Sequence, residues 1–105
     1  MSEYRILRHP DVAMDLFDVV DLIADYAGSD IALRKLDEIE KTLRGLAQTP
    51  HIGSLRHDIL PDLRAIPTAR KGVVSFIVND ETKEVLIISI TYAGADWISR
   101  SLRRG

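Results

Sequence analysis

Two histidines and a group of acidic residues are the side chains best suited to bind a metal or to exchange protons. His51 and His57 lie six residues apart around a turn. Zinc sites need three or four protein ligands, and no third ligand stands near these two in the sequence. We therefore expect exposed loop histidines and no metal site. Asp37, Glu38 and Glu40 could act as paired carboxylates in hydrolysis, but they belong to a helical pattern with basic residues one turn on, so we predict a solvated helix face.

The motifs of conventional enzymes are missing from the sequence. It contains no glycine-rich phosphate loop, no HExxH, no GxSxG and no Ser, His and Asp set in a plausible order. Cysteine is absent, which excludes a disulfide framework, a thiolate zinc site and a cysteine nucleophile. We expect neither a conventional hydrolase nor a nucleotide enzyme, and we predict no cofactor.

Arg64 and Tyr92 each have a functional and a structural interpretation. Arg64 can bind a phosphate or a carboxylate of a target, or it can pair at the surface with Asp62 or Glu84 in a weak ion pair. Tyr92 can act as an acid or contact a target. Its alternation with apolar residues along a predicted strand favours a tyrosine at the edge of the core.

Acidic and basic residues are segregated along the chain. The net charge is −2, from 14 basic and 16 acidic residues, so the overall charge does not favour nucleic acid. Arg100, Arg103 and Arg104 stand near the end, where they suit the last turn of a helix and can also touch DNA or an acidic target. Trp97 beside them is either a core residue or an exposed anchor. Five aspartates share one side of the first predicted helix, as a solvated face or a surface for a basic partner: Asp11, Asp15, Asp18, Asp21 and Asp25.

Length and composition indicate one globular domain over residues 1–105. Hydrophobic residues make up 46% and charged residues 29% of the 105 residues, as is typical of a soluble protein. No apolar run approaches the roughly 18 residues of a membrane span. The first residues lack the basic-then-apolar order of a signal peptide. We expect a cytoplasmic protein.

Hydrophobic periodicity predicts a strand followed by two antiparallel helices. Residues 3–9 form a short strand, and from Pro10 onward apolar residues recur at three- and four-residue steps on one helical face. Gly28 is predicted to cap this helix at its C-terminus, and Ser29 to cap the next helix at its N-terminus. The second helix ends before Pro50.

The remainder of the chain changes to the period of a sheet. Residues 63–67 form a short extended piece, and residues 73–78 and 85–92 form two strands joined by a polar turn.

A last short helix is expected after these strands. Asp96 is its predicted cap, with Ile98 and Leu102 pointing inward and the arginines pointing outward. The fold class is thus α+β: an N-terminal strand, a helix hairpin packed on one face of a small antiparallel sheet, and a short C-terminal helix. The order of the strands stays open.

The order of elements and several short segments resemble the RelE/ParE toxin superfamily, nearest its ParE branch. The likeness runs from about Tyr4 to Asp96. It is carried by His9-Pro10, the LDEIEKTLRGLAQTPHIG segment at 36–53, Leu63-Arg64-Ala65-Ile66-Pro67, Phe76-Ile77-Val78-Asn79-Asp80, and residues 88–96.

This resemblance implies the toxin component of a type II toxin-antitoxin system, in a hetero-oligomer with a cognate antitoxin. The antitoxin of such a system typically wraps a segment over the toxin's helices and sheet. DNA would be contacted only through the antitoxin, and no membrane partner is implied. ParE-like members are associated with poisoning DNA gyrase, whereas RelE-like members cut mRNA on the ribosome.

The same resemblance supplies candidate residues for each activity. RNA cleavage through the 2′-hydroxyl needs a base, an acid and cations around the phosphorane. Ala95 replaces a frequent arginine of the family, and Phe76 stands where tyrosine is common. The remaining catalytic candidates for a ribonuclease are Arg64, Arg70, Lys71 and Tyr92. The candidates for binding a target are Arg64, Tyr92, Trp97, Arg100, Arg103 and Arg104.

Because this set is poor in acid–base groups, the sequence favours a toxin that inhibits gyrase by binding. Two alternatives stay open. One is a ribosome-dependent mRNA endoribonuclease, and the other is a degenerate, non-toxic member that acts in operon repression.

Overall fold

The computed structural model describes residues 3–105, which form three helices and five strands. Along the chain these are β1 (Arg5–Arg8), α1 (Val12–Ala27), α2 (Ser29–Gly45), β2 (Ser54–Leu55), β3 (Leu63–Thr68), β4 (Gly72–Asn79), β5 (Glu84–Tyr92) and α3 (Trp97–Arg104). The predicted α+β architecture, with an N-terminal strand, a helix hairpin and a short C-terminal helix, is confirmed.

The five strands form a single sheet in the order β1-β5-β4-β3-β2. The segment from β2 to β5 is an antiparallel meander, as predicted. β1 extends this meander on its other edge and pairs with β5 in parallel, from Arg5 opposite Glu84 to Arg8 opposite Ile87. The sheet is therefore mixed, because the helix hairpin carries the chain from one edge of the sheet to the other.

The last strand is longer than the strand beside it. β1 ends opposite Ile87, whereas β5 continues to Tyr92. The register of β4 and β5 shifts between Ser75 and Phe76, opposite the place where β1 stops. Beyond it, the outer edge of β5 has no strand next to it among the described residues. Its backbone N–H and C=O groups must find other partners there.

The apolar stripes of the helix hairpin close over one face of the sheet. Val12, Ile23 and Ile39 are buried against Phe76 and Ile87 of the strands. Burial of such stripes against a sheet is the main source of stability in a domain of this size.

The short helix α3 lies on the other face. Ser75 and Ser89 alternate with core residues, so they point away from the hairpin, and both contact Ser101 of α3. Asp96 caps the helix as predicted, since its Oδ1 accepts the Ser99 N–H at 3.1 Å.

The predicted orientation of α3 is wrong. Ser101 is fully buried, whereas Ile98 and Leu102 are exposed to solvent. The sheet presents hydroxyl groups where α3 packs, and a small hydroxyl side chain satisfies them better than an isoleucine or leucine would. The predicted cap at Ser29 is also wrong: Gly28 ends α1 and precedes α2, Ser29 is already helical, and its side chain makes no capping bond.

No helix among residues 3–105 is both long enough and apolar enough to cross a membrane.

Candidate functional site

Asp15 of α1 forms a buried ionic cluster with the C-terminal helix. Its side chain is only 3% exposed. Arg104 binds it in a bidentate manner, with Nη1 2.6 Å from Oδ2 and Nη2 2.8 Å from Oδ1. Arg100 adds a contact of 3.2 Å to Oδ1. These hydrogen bonds raise the pKa of the Arg104 guanidinium above its usual value, because the carboxylate stabilises the charged form.

The same cluster satisfies the open edge of β5. The Ile90 N–H donates to Asp15 Oδ2 at 3.0 Å, and Arg104 Nη1 donates to the Ile88 carbonyl at 3.1 Å. A carboxylate and a guanidinium thus take the place of the neighbouring strand that β1 no longer provides.

Two expectations about charge are corrected by this cluster. Asp11, Asp18, Asp21 and Asp25 are exposed, but Asp15 is not part of a solvated face. Of the three arginines predicted to point outward, only Arg103 is exposed, and Arg100 and Arg104 turn inward. A buried carboxylate needs cationic and hydrogen-bonding partners, and Arg100 and Arg104 of α3 supply them.

Trp97, another predicted contact residue, is held at the start of α3 and is only partly exposed. The guanidinium of Arg56 lies 5.3 Å from its ring centre, in a cation–π contact. Arg56 also binds Asp58 through two hydrogen bonds of 3.0 and 2.9 Å, which lowers the pKa of that carboxyl. Trp97 is thus neither a core residue nor a freely exposed anchor.

Arg64 and Tyr92 lie far apart on the sheet. Arg64 stands opposite Phe76, whereas Tyr92 stands opposite Gly72, which in turn faces Thr68 of β3. Arg64 and Thr68 are four residues apart on β3, so Arg64 and Tyr92 are separated by about 13 Å along the strand direction. The structure does not bring these two predicted site residues together.

Tyr92 lies at the edge of the core, as its alternation predicted, with 6% of its surface exposed. Its hydroxyl donates to the Ala69 carbonyl at 3.2 Å. Burial raises the pKa of the phenol above its usual value. Arg70 and Lys71 are exposed in the nearby turn between β3 and β4.

A polar cleft of about 520 Å³ opens beside Arg64, at the end of the sheet where β4 turns into β5. His51 and His57 line it and are exposed, as predicted. His51 Nε2 lies 2.7 Å from Asp80 Oδ1, and His57 Nδ1 accepts the Asp62 N–H at 3.1 Å. No group of three His, Asp or Glu side chains suited to a metal occurs among residues 3–105.

The cleft contains Arg64 in an unexpected setting. Its Nη1 donates to the Ile52 carbonyl at 3.4 Å, and within the described residues it forms no ion pair with Asp62 or Glu84. Glu84 pairs with Arg5 instead. Asp80 on the far wall accepts hydrogen bonds from Tyr4 and His51, and these lower the pKa of its carboxyl.

The carboxylates of α2 are surface groups with salt-bridge partners. Glu38 pairs with Lys35 at 3.2 Å, and Glu40 pairs with Arg8 of β1 at 2.6 Å. The expected solvated face is present, but the partners differ from the basic residues one turn on, because β1 passes close to α2.

An apolar groove of about 330 Å³ lies between α1 and α2 on their outer side. Phe17 stands in its wall and is 66% exposed, and Met14 and Leu33 on the same helices are 62% and 58% exposed. Of these three residues, Phe17 lines the groove, whereas Met14 and Leu33 lie outside its lining. The groove is lined by Ala13, Leu16, Phe17, Val20, Asp21, Leu36 and Glu40.

Sequence reasoning missed Asp15 and Phe17 as special positions, although each has a local signal. Asp15 lies three residues after Val12 and four before Val19, so it shares the side of α1 that faces the core. Phe17 is a large aromatic residue that lies outside the buried stripe, so its exposure could have been predicted.

Comparison with known proteins gives one matching family and several solved structures with the same fold. Residues 6–97 match the family described as "ParE toxin of type II toxin-antitoxin system, parDE". The fold is similar to a chain of the chromosomal ParDE system of P. aeruginosa, with a TM-score of 0.73 and 23% identity over 87% of this chain and 97% of that chain. No curated protein matches the sequence.

Two further solved structures share the fold at lower identity. A chain of the RelBE2 toxin-antitoxin complex of Mycobacterium tuberculosis has a TM-score of 0.66 and 14% identity, over 87% of this chain and 99% of that one. A RelE toxin variant of E. coli in the free state has a TM-score of 0.62 and 18% identity, over 99% and 98%. At such identities the likeness concerns the fold.

We predict that Asp15→Ala lowers the free energy of unfolding by about 3–5 kcal/mol, because it leaves the largely buried Arg104 without its counter-charge. Urea denaturation followed by circular dichroism measures this change. The matched control is Asp18→Ala, which removes an exposed aspartate of the same helix and should change stability by no more than about 0.5 kcal/mol. Equal losses in the two variants would contradict a special role for Asp15.

Proposed function

Because this chain belongs to the ParE toxin family of type II toxin-antitoxin systems, we propose that it is a toxin that inhibits DNA gyrase by binding and that a cognate antitoxin neutralises it. The observation that carries the choice of binding over catalysis is the distance of Arg64 from the other catalytic candidates, Tyr92, Arg70 and Lys71, which lie near one another at the β3–β4 turn. Arg64 lies about 13 Å along the sheet from the level of Tyr92, whose protonated hydroxyl is engaged by a backbone carbonyl. A proton-transfer site needs its acid and base around one reacting atom.

The charges of the C-terminal helix also favour binding over catalysis. Arg100 and Arg104 are occupied by Asp15, so they are not free to stabilise a transition state. Arg103 and Trp97 remain accessible at least in part, and they contribute to contacts with a target. In the proposed assembly the toxin approaches DNA only through the antitoxin, since the toxin itself carries a net charge of −2.

The antitoxin is proposed to occupy the groove between α1 and α2. Its floor is apolar, and Phe17, Met14 and Leu33 stand exposed on the two helices. An amphipathic helix fits such a groove by placing apolar residues at three- and four-residue intervals along it. Asp21 in the groove wall and Asp18 and Asp25 on the same helix are exposed, so the bound segment should carry lysine or arginine beside its apolar residues.

We predict that purified protein inhibits gyrase supercoiling at micromolar concentration and that added antitoxin restores activity. Relaxation of the same plasmid by a type I topoisomerase is the control, because it detects any effect that acts through DNA. Supercoiling that continues unchanged at micromolar excess of the protein would contradict gyrase as the target.

We predict that Phe17→Asp weakens antitoxin binding about 30-fold or more, because it places a charge in the apolar groove. Isothermal titration with the product of the adjacent reading frame measures the affinity. The control is Leu102→Asp, which alters a similarly exposed apolar residue on α3, behind the sheet. If Leu102→Asp weakened binding as much as Phe17→Asp, the groove would not be the antitoxin site.

A ribosome-dependent endoribonuclease is the second candidate, and one observation favours it. Arg64 shares its cleft with His51 and His57, so a cation and two imidazoles face one space. Imidazoles exchange protons near neutral pH, as phosphodiester cleavage requires. For this alternative, we expect primer extension on translating ribosomes to reveal cut mRNA that disappears with His51→Gln or His57→Gln. Intact mRNA in cells whose growth the protein arrests would eliminate it.

A further inference from the structure

The turn between β3 and β4 adopts a backbone conformation that its residues do not favour. Ala69 has a φ of 48° and Arg70 a φ of 70°, both in the left-handed region where a Cβ atom is crowded. The Lys71 N–H donates to the Ala69 carbonyl at 2.9 Å, which closes a tight three-residue turn around Arg70. Glycine or asparagine is the usual choice at such positions, and neither Ala69 nor Arg70 is one of these residues.

This turn is nevertheless held in place from two sides. The Tyr92 hydroxyl donates to the Ala69 carbonyl at 3.2 Å, and the Ala93 N–H donates to the Lys71 carbonyl at 3.0 Å. A strained conformation persists only where the surrounding structure over-determines it, and such strain concentrates at functional sites. The hydrogen bonds from Tyr92 and Ala93 explain how the strained conformation is maintained. The side chains on the turn suggest what function it serves.

The two side chains displayed by this turn are cationic and unpaired. Arg70 and Lys71 are exposed, and within residues 3–105 neither has a carboxylate oxygen within 4 Å. Other exposed cations, such as Arg34, Arg44 and Arg103, also lack an ion pair, but among residues 3–105 Arg70 and Lys71 are the only two consecutive cations of which neither is paired. A rigid turn that holds an unpaired guanidinium and ammonium lowers the conformational cost of binding, because the backbone is already ordered.

We propose that the β3–β4 turn, with Arg70 and Lys71 at its tip, docks on an acidic patch of the toxin's protein target. This proposal rests on the proposed function and adds the contact surface to it. The guanidinium of Arg70 suits bidentate pairing with an aspartate or glutamate, and Lys71 adds a second positive charge beside it.

A protein surface fits this turn better than nucleic acid does. Binding to nucleic acid commonly draws on many phosphate contacts, whereas the turn offers two cations on a chain of net charge −2. The exposed aspartates of α1 would repel a polyanion further. No residue of the turn lines the groove assigned to the antitoxin, so the two partners use different surfaces.

The decisive variant is Arg70→Gly, because it separates binding from folding. Glycine adopts a φ of 70° without strain, so the variant should gain about 4 °C in thermal midpoint while binding of purified gyrase weakens at least about tenfold. A loss of binding in a more stable protein cannot come from unfolding. The weakening should be greatest at low salt, since screening reduces the contribution of the charge.

The matched control is Lys83→Gly in the turn between β4 and β5, at the opposite end of the sheet. Lys83 is also an exposed cation with a positive φ, of 57°, so this change removes a charge and relieves the backbone as Arg70→Gly does. It also removes a cation–π contact, since Lys83 Nζ lies 5.1 Å from the centre of the Tyr4 ring. It should leave gyrase binding within about twofold of the unmodified protein. Arg70→Lys should bind more weakly than the unmodified protein but more tightly than Arg70→Gly, because it keeps the charge and loses the bidentate geometry.

Growth arrest on induction without antitoxin is the second readout. If the wild-type protein arrests growth but does not bind gyrase, gyrase is not the target. Reduced arrest by Arg70→Gly would in that case still support the role of the turn in binding the target. Arrest by Arg70→Gly equal to wild type, or equal gyrase binding, would overturn the role of the turn. A wild-type protein without any effect on growth would remove both proposals.

Discussion

Burial of a single carboxylate constrains the whole arrangement of this domain. Asp15 lies on the core side of α1, where its charge must be compensated, and the compensation comes from Arg104, Arg100 and the Ile90 amide. These partners belong to the last strand and the last helix. A buried ion pair contributes little net stability compared with apolar packing, but it tolerates few alternative arrangements, since each would leave a buried charge unpaired. Its effect here is to fix the position of α3 relative to α1.

The same interaction resolves a problem created by the topology. β1 is shorter than β5, so part of an edge strand would otherwise present unpaired backbone groups to other chains. The side chains of Asp15 and Arg104 form hydrogen bonds with those backbone groups in place of a neighbouring strand. The helix hairpin covers one face of the sheet, and α3 covers the part of the other face formed by β4 and β5. The outer side of the hairpin and the β3–β4 turn remain exposed, and they are the surfaces proposed for partners.

Much of the fold could be predicted from the sequence because it is encoded locally. The spacing of Val12, Leu16 and Val19 defines α1, and alternation defines β4 and β5. The parallel pairing of β1 with β5 could not be predicted, since nothing local in residues 5–8 specifies a partner almost eighty positions away. Strand pairing of this kind depends on tertiary packing.

The candidate site was less predictable than the fold for the same reason. Resemblance to a family grouped Arg64 with Tyr92, but only the strand register reveals their separation. The orientation of α3 depends on hydroxyl groups of Ser75 and Ser89, which become relevant to Ser101 only once the sheet has formed. The positions of charged residues along the sequence likewise do not predict which aspartate forms an ion pair with an arginine.

The pairing of Asp15 with Arg104 has a consequence for biosynthesis. The two residues are 89 positions apart, so the nascent polypeptide must extend beyond Arg104 before the carboxylate can meet its counter-charge. Contacts between such distant positions form late in folding, because closing a long loop costs entropy. Products that terminate before Arg104 would lack the arginine that pairs with Asp15 and would remain substrates for proteolysis. Folding of the domain would therefore be completed only after α3 has been synthesised.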